Sequence, residues 1–198
     1  IGIYEVTLGE YRQVMGANPG DFQRVPITLN PSSPQQAESV KRVGDDHPVE
    51  HIRWSDAVKF CERLSNLPGE RAAGRVYRLP TYTEWEYACR AGTNSEYSFG
   101  NDVSLLDGFA WTTTNSADQT HPVGKKKPNR WGLYDMHGNV EEWCSGYYDN
   151  SSSSRVVRGG SWKDDQYSSA QWRGELNSDY KHEPGIGFRV VMTMVAAP

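Results

Sequence analysis

The stretch from Trp131 to Trp143 places the strongest constraint on what this chain can fold into. It reads WGLYDMHGNVEEW, so apolar and aromatic side chains alternate with carboxylates within a short distance. A glycine beside an asparagine, at Gly138-Asn139, indicates a turn with an unusual backbone angle. We therefore predict a buried, turn-rich segment, called the hub segment below, whose inward side chains are Trp131, Leu133, Met136, Val140 and Trp143.

The carboxylates of the hub segment allow two interpretations. Asp135, Glu141 and Glu142, together with the carbonyls of a tight turn, offer the oxygen ligands that calcium requires. Alternatively, Asp135 and Glu142 hydrogen-bond to turn amides or pair with arginines. The ordered ligand spacing of an EF-hand is absent, so spacing alone favours the second interpretation.

The composition limits the classes of partner. The chain has 198 residues, of which 36% are hydrophobic and 23% charged, which predicts one domain over residues 1–198 with its own core. A net charge of −4 predicts no nucleic-acid partner, and the single short basic run, Lys125-Lys126-Lys127, is most simply a solvated loop. No apolar run has the length needed to cross a bilayer, so no membrane insertion is expected.

The cysteines predict neither a disulfide framework nor a zinc site. Cys61, Cys89 and Cys144 are few and widely separated. Cys61 and Cys89 lie on the apolar faces of predicted helices, and Cys144 follows a core tryptophan. We expect three buried thiols.

Three helices and several short strands are predicted. Capping boxes at Thr7/Glu10 and Thr81/Glu84 start two helices that end at Gly16 and Gly92, and Ser55 caps a third with a buried stripe at Ala57, Phe60, Cys61 and Leu64. Strands are predicted at residues 1–6, 76–79, 97–99, 109–111, 121–123, 155–162 and 187–192. Residues 18–46 and 163–185 show no sustained period and are predicted as loops. The fold class is α+β, with two to three short helices, small mainly antiparallel sheets and a loop-rich C-terminal half.

Seven motifs occur in the order found in formylglycine-generating enzymes and their sulfatase-modifying-factor relatives. They are Tyr4-Glu5-Val6-Thr7, His47-Pro48-Val49, residues 77–88, residues 121–124, the hub segment, residues 158–162 and Gly187-Phe188-Arg189. The chain resembles this family over essentially its whole length. The resemblance implies a C-type-lectin-like fold.

The resemblance also implies a structural calcium site in the hub segment. Its ligands would be Asp135, the backbone of Gly138 and Val140, and Glu142. Asp135 stands where the family often has asparagine.

The enzymes of the family oxidise a substrate cysteine with copper held by two cysteines after the Gly-Gly-Ser motif, and thiolates suit Cu(I). No cysteine follows Cys144 here; Asp164 stands at the first position and Ser169 roughly at the second. We therefore expect no copper and no catalytic residue. The alternatives are a divergent oxidase with other metal ligands and a structural or accessory domain of a larger protein.

The segment from 162 to 182, called the ligand segment below, has the composition of a binding surface. It is rich in Tyr, Ser, Asp and Asn, which is typical of paratopes and also of ordinary polar loops. Variable proteins of diversity-generating retroelements share this fold and diversify positions between the Gly-Gly-Ser-Trp turn and the Gly-Phe-Arg strand. The resemblance implies these ligand-binding residues: Asp164, Asp165, Tyr167, Ser168, Ser169, Asn177, Asp179, Tyr180 and His182. Trp162 and Trp172 are added as candidate binding residues, with the alternatives that Trp162 belongs to the framework and Trp172 to the core.

These observations predict a binding module rather than an enzyme. Its ligand is expected to be a protein or another surface ligand. We expect the module to be displayed at a surface or outside the cytoplasm.

Overall fold

The computed structural model describes residues 1–17, 43–149, 153–165, 167–177 and 183–195. Within them, the helices are α1 (Leu8–Met15), α2 (Trp54–Ser65), α3 (Pro68–Ala72) and α4 (Tyr82–Arg90), with a 3-10 helix at Val103–Gly108. The strands are β1 (Arg75–Arg78), β2 (Glu141–Tyr147), β3 (Ser154–Arg158), β4 (Gly174–Asn177), β5 (Ile186–Gly187) and β6 (Val191–Met194). Most of the predicted loop at 18–46 lies outside the described residues.

Local sequence determines where two of the helices begin. Both predicted capping boxes are present, so Thr7 starts α1 and Thr81 starts α4. The prediction for α2 was wrong by two residues, because Arg53 is the N-cap and Ser55 lies inside the first turn. The short α3 was not predicted; it starts at Pro68, whose fixed φ angle suits a first helical position.

The described strands form two small sheets. β1 and β6 form an antiparallel pair, and the larger sheet has the order β4-β3-β2-β5. Its pairs are antiparallel except for β2 with β5, which run parallel over two residues. The predicted α+β class with small, mainly antiparallel sheets is confirmed.

Several strand predictions were wrong. Residues 1–6 form no strand. They make isolated backbone hydrogen bonds instead, such as the one from Gly2 N to Val190 O at 2.8 Å. No strand is found at 97–99, 109–111 or 121–123, where single bridges, turns and the 3-10 helix satisfy the backbone. The ligand segment, predicted as a loop, contains β4, because that strand is defined by pairing with β3 rather than by its own pattern.

Two apolar clusters form most of the core. One is centred on Phe60, Trp143 and Phe188, and the other on Trp85 and Met136. All three cysteines are buried, as predicted. Trp131 was predicted to point inward but is 48% exposed, and it packs edge-on against Tyr87. No helix in the described part of the chain is long and apolar enough to span a membrane.

Candidate functional site

The turn of the hub segment is locked by backbone contacts. A Cβ atom on Gly138 would lie 2.3 Å from the carbonyl oxygen of Trp111, so only glycine fits there. Asn139 has a left-handed φ of 71°. Its side chain donates to Glu5 Oε2 at 2.7 Å and accepts from the amide of His121 at 2.9 Å. The turn is therefore tied to segments distant in the sequence.

Glu142 and Arg189 form an ion pair with both side chains fully buried. The arginine Nη2 and Nε donate to Glu142 Oε1 at 2.6 and 2.9 Å, and Trp85 Nε1 donates to Oε2 at 2.7 Å. The guanidinium also donates to the carbonyls of Gly2 and Tyr134. This single side chain connects the N-terminus, the hub segment and β2.

Asp135 has a different environment. Its φ is 59°, and its Oδ2 accepts the Gly124 amide at 2.7 Å. Its Oδ1 is buried without a hydrogen-bond partner in the described structure. Burial raises the pKa of this carboxyl to about 6. Burial, and then the nearby carboxylates of Asp135 and Glu142, raise the pKa of Glu5 well above its usual range.

The predicted calcium ligands fit a cation in part. The free Oδ1 of Asp135 and the excess of three buried carboxyls over one arginine both favour a cation. Glu142, however, already accepts hydrogen bonds on both oxygens, as the interpretation without metal predicts. Among the described residues, no group of three His, Cys, Asp or Glu side chains is arranged to hold a metal. Calcium stays a prediction, with Asp135, the backbone of Gly138 and Val140, and Glu142 as its expected ligands.

Calcium is expected to raise the melting temperature of protein first treated with a chelator. A ligand specific to the folded state adds about 2.7 kcal/mol at 100 times its Kd, which corresponds to roughly 5–10 °C for a chain of this size. Differential scanning fluorimetry with calcium, magnesium or neither measures this. Magnesium should act more weakly, because it demands a stricter geometry. An Asp135→Ala variant should not respond; an unchanged melting temperature in the parent chain would mean that no calcium binds.

Framework side chains hold the ligand segment by its main-chain carbonyls. Arg158, on β3, is 1% exposed. Its guanidinium donates to the carbonyls of Ala170 at 2.8 Å, Gln171 at 3.0 Å and Trp172. It also donates to the carboxylate of Glu86 on α4 at 2.7 Å. One buried charge thus fixes three consecutive peptide groups.

A histidine of the hub segment provides a second anchor. The Ser98 amide donates to His137 Nε2 at 3.1 Å, so the ring hydrogen must be on Nδ1. Nδ1 then donates to the carbonyl of Ser168 at 2.6 Å. Burial lowers the pKa of His137 to about 4, so the ring stays neutral at neutral pH. The Ala170 amide completes this anchor by donating to Glu96 O.

The beginning of the ligand segment is anchored in the same way. The Trp162 amide donates to Asn139 O at 2.9 Å, and its carbonyl accepts from Ser116 Oγ at 2.8 Å. Its half-buried indole donates to Glu50 Oε2 at 3.3 Å. Asp164 is also half-buried and accepts from Ser161 Oγ.

The structure separates the predicted ligand-binding residues into four groups, of which the half-buried one consists of Trp162, Asp164 and Trp172. Asp165 and Asn177 are exposed, as is Tyr167, which stacks on the half-buried Trp172 with ring centroids 4.6 Å apart. Ser168 and Ser169 are 0% and 8% exposed, so these two predictions are corrected: the anchored carbonyl of Ser168 draws this stretch inward. Asp179, Tyr180 and His182 lie outside the described residues.

The sequence analysis missed two exposed residues of the ligand segment, Gln171 and Glu175. It also missed the two side chains that anchor this segment, Arg158 and His137. Gln171 and Glu175 are exposed beside the predicted residues, and Glu175 alternates with the inward Leu176 on β4. That alternation was the only signal, and it spans four residues. Arg158 and His137 lie within two of the quoted motifs, but nothing indicated that they are anchors, because they bind main-chain atoms that every residue has.

Glu141 and Glu142 are consecutive on β2 and therefore point to opposite faces. Glu141 faces the ligand segment, close to Asp164, Lys163 and Glu183. Burial, and then the carboxylate of Asp164, raise its pKa to about 8.

A Glu141→Gln variant is expected to be more stable than the parent chain at pH 8. Unfolded Glu141 ionises near pH 4.5, whereas the folded side chain keeps its proton up to about pH 8. The folded state therefore binds the extra proton, and stability falls as pH rises between these values. Between pH 6.5 and pH 8 the free energy of unfolding of the parent chain should fall by about 2 kcal/mol. This fall should be absent in Glu141→Gln, which has no titrating carboxyl at this position. Urea unfolding of both chains at each pH measures this; parallel pH profiles would contradict it.

The fold, the locked hub segment and the anchored ligand segment define a C-type-lectin-like domain of the formylglycine-generating type. A family model for the sulfatase-modifying factor enzyme 1-like domain matches residues 1–194. The chain belongs to this family.

Two known proteins with similar sequences carry different functional descriptions, one as a chaperone and one as an inactive enzyme. Chaperone protein LppX of Paenibacillus barcinonensis is 31% identical, over 82% of this chain and 68% of the relative. The inactive C-alpha-formylglycine-generating enzyme 2 of Bos taurus is 34% identical, over 73% of this chain and 50% of the relative. The chain therefore spans about half the length of that relative.

Solved structures share the fold over nearly the whole chain. Treponema denticola variable protein 1 has a TM-score of 0.77 and 30% identity, over 97% of this chain and 84% of that one. PvdO of Pseudomonas aeruginosa has a TM-score of 0.73 at 24% identity, which shows the fold alone.

Proposed function

We propose that the chain is a non-catalytic binding module whose ligand segment forms the binding face. The ligand segment is held through main-chain groups by Arg158, His137 and Asn139. This anchoring is the observation that supports the function most, because it lets outward side chains change without loss of the scaffold. The outward side chains are Asp165, Tyr167, Gln171, Glu175 and Asn177.

The similarity to Treponema denticola variable protein 1 supports a face of this kind. We propose that this chain is likewise the variable protein of a diversity-generating retroelement, displayed outside the cytoplasm to bind a protein or another surface ligand. Sequences of sibling copies of the gene should then differ at the outward positions of the ligand segment and agree at Arg158, His137 and Asn139. Equal variation at both sets of positions would contradict this.

The absence of the copper thiols supports a module without catalysis. The described positions of Asp164 and Ser169 offer no soft ligand, and the three cysteines of the chain are buried. A family member described as inactive also exists among the relatives. The alternative, a divergent oxidase, predicts that the copper-loaded chain converts cysteine in a sulfatase-motif peptide to formylglycine; we expect no conversion.

Selection from a displayed random-peptide library on the immobilised chain tests the binding function. Peptides enriched on the parent chain should lose at least tenfold in affinity against a variant with alanine at 165, 167, 171 and 175. The melting temperature of that variant should stay within about 2 °C, since surface changes usually cost little. An accessory domain without a binding face predicts no enrichment over bare resin, or enriched peptides that bind the variant equally well.

A further inference from the structure

The strand β6 leaves one of its edges, called the free edge below, without a partner strand. Among the described residues, β6 pairs with β1 alone. Met192, Met194 and Val195 are 41%, 66% and 55% exposed. An unpaired edge with apolar side chains is a template for pairing with another chain, and proteins usually cover or charge such edges. Residues 191–195 read VMTMV and carry no charge.

Hydrogen bonds at the two ends of β6 show which of its backbone groups face the free edge. The Val195 amide donates at 2.8 Å to a carbonyl on the side of β1, whereas Val190 O accepts from the Gly2 amide on the opposite side. Backbone groups alternate between the two sides along an antiparallel strand. The N–H and C=O groups of Met192 and Met194 therefore point away from β1, into the free edge.

The outer edge of β1, by contrast, is capped within the chain. Tyr77 lies opposite Met192 in the register of the two strands. Its amide donates at 2.8 Å to the hydroxyl of Ser65, which is the last residue of α2. This hydroxyl occupies the place that a further strand would take. The two-stranded sheet thus has a capped edge at β1 and a free edge at β6.

We propose that the free edge of β6 binds the same edge of a second copy of this chain, with a two-fold axis beside Thr193. In this antiparallel register Met192 lies opposite Met194 of the second copy, and each such pair exchanges two hydrogen bonds. The outward N–H and C=O groups of both methionines therefore all gain partners. The two β1-β6 pairs then form one four-stranded antiparallel sheet.

The sequence of β6 favours a second copy over an unrelated strand. The run VMTMV is a palindrome centred on Thr193, so the two-fold register places methionine opposite methionine and valine opposite valine. Because side chains alternate along a strand, the four methionines meet on one face of the sheet. Methionine packs well in such contacts, because its side chain is flexible and polarisable. The contact is isologous and closed, and it therefore stops at a dimer.

The N-terminus limits the length of this contact. Gly2 occupies the edge at Val190, so the added pairing covers only residues 191–195. Small interfaces are typical of weak, transient association. We therefore expect a dimer in reversible equilibrium with the monomer rather than an obligate one.

Sedimentation velocity of the intact chain from micromolar to near-millimolar concentration measures the association. The average mass should rise from monomer towards dimer and no further. Met194→Pro removes an outward amide hydrogen and keeps the bonds to β1, since proline is tolerated where the amide of an edge strand faces solvent. This variant should dimerise at least tenfold more weakly, while its melting temperature at low concentration stays close to that of the parent chain.

A pair of charge variants provides a matched comparison. Met192→Lys together with Met194→Lys places like charges directly opposite each other across the two-fold axis, which destabilises an antiparallel pair. This double variant should remain monomeric. Val103→Lys together with Leu105→Lys adds the same charge at exposed apolar positions of the 3-10 helix and should dimerise like the parent chain.

Cysteine cross-linking tests the register itself. The two-fold axis places Thr193 opposite its own copy in a non-hydrogen-bonded pair, with Cα atoms about 4.5 Å apart, a distance that a disulfide can bridge. Thr193→Cys should form a covalent dimer under mild oxidation at least tenfold faster than Val103→Cys, which reports random collision. The native cysteines are buried and should not contribute.

The outcomes decide for or against the free edge. A dimer that is weakened by both edge variants and cross-links through position 193 supports the proposal. A chain that is monomeric at every concentration overturns it, as does a dimer that tolerates the lysines at 192 and 194. The variant with alanine at 165, 167, 171 and 175 should dimerise normally, so the result is independent of the proposed binding face.

Discussion

Replacing Glu142 by glutamine is expected to reduce the free energy of unfolding by about 3–5 kcal/mol. The change leaves the guanidinium of Arg189 charged, fully buried and without its counter-charge, and breaking a buried pair on one side has costs of this size. The hydrogen bond from Trp85 also loses its charged acceptor. Urea unfolding measures the effect, and the melting temperature should fall by about 10 °C.

Asp45→Asn provides a matched control. It removes the acidic partner of Arg12, but those two side chains are 64% and 45% exposed and solvent screens the pair. The unfolding midpoint of this variant should not change measurably. Equal losses in Glu142→Gln and Asp45→Asn would mean that burial does not determine the strength of the Glu142 pair. Both variants are best measured with chelator present, so that calcium does not contribute.

Replacing Arg158 by methionine is expected to cost about 3 kcal/mol and to loosen the ligand segment. Three buried carbonyls, those of residues 170–172, lose their donor, and each unsatisfied buried group costs about 1–3 kcal/mol before relaxation. Amide hydrogen exchange should become faster in the ligand segment than elsewhere. Peptides selected on the parent chain should bind more weakly, although Arg158 itself is buried.

The same strand contains the control for this variant. Arg155 lies between the rings of Trp54 and Tyr147, 3.7 and 3.6 Å from their centroids, and its guanidinium donates to the carbonyl of Ser145 rather than to those that Arg158 binds. Arg155→Met should lose stability without faster exchange in the ligand segment. If both variants accelerate exchange there equally, Arg158 is not a specific anchor.

Sequence patterns predicted the parts of the fold that depend on neighbours along the chain. The capping boxes at Thr7 and Thr81 need only residues three positions apart, and both are present. Trp131 was misplaced because burial depends on what lies opposite; here its ring packs edge-on against the exposed Tyr87 and stays 48% exposed. β4 exists because Gly174 can lie against Val157 and the Trp172 ring, a contact that no local period encodes.

The candidate site was predicted less completely, for a related reason. Composition and resemblance pointed to the ligand segment, and Asp165 and Tyr167 are indeed on its surface. Its anchors act on carbonyl groups, which carry no residue identity, so Arg158 and His137 could not be recognised. The partner of Glu142 is 47 positions away, and spacing suggested only that some arginine was a candidate.

The opposite orientations of Glu141 and Glu142 have a consequence for how the sheet assembles. A slip of β2 by one residue in one direction would place Glu141 against Arg189 but carry Glu142 into the buried position of Trp143, and a slip in the other direction would place Trp143 against Arg189. It would also move Gly187, whose missing side chain leaves room for the Val49 carbonyl only 2.4 Å from an added Cβ. Misaligned pairing in either direction is therefore penalised, because it buries a carboxylate in the apolar core or leaves Arg189 without one. The buried pair of Glu142 and Arg189 thus helps to align the short β5, which has only two residues of its own.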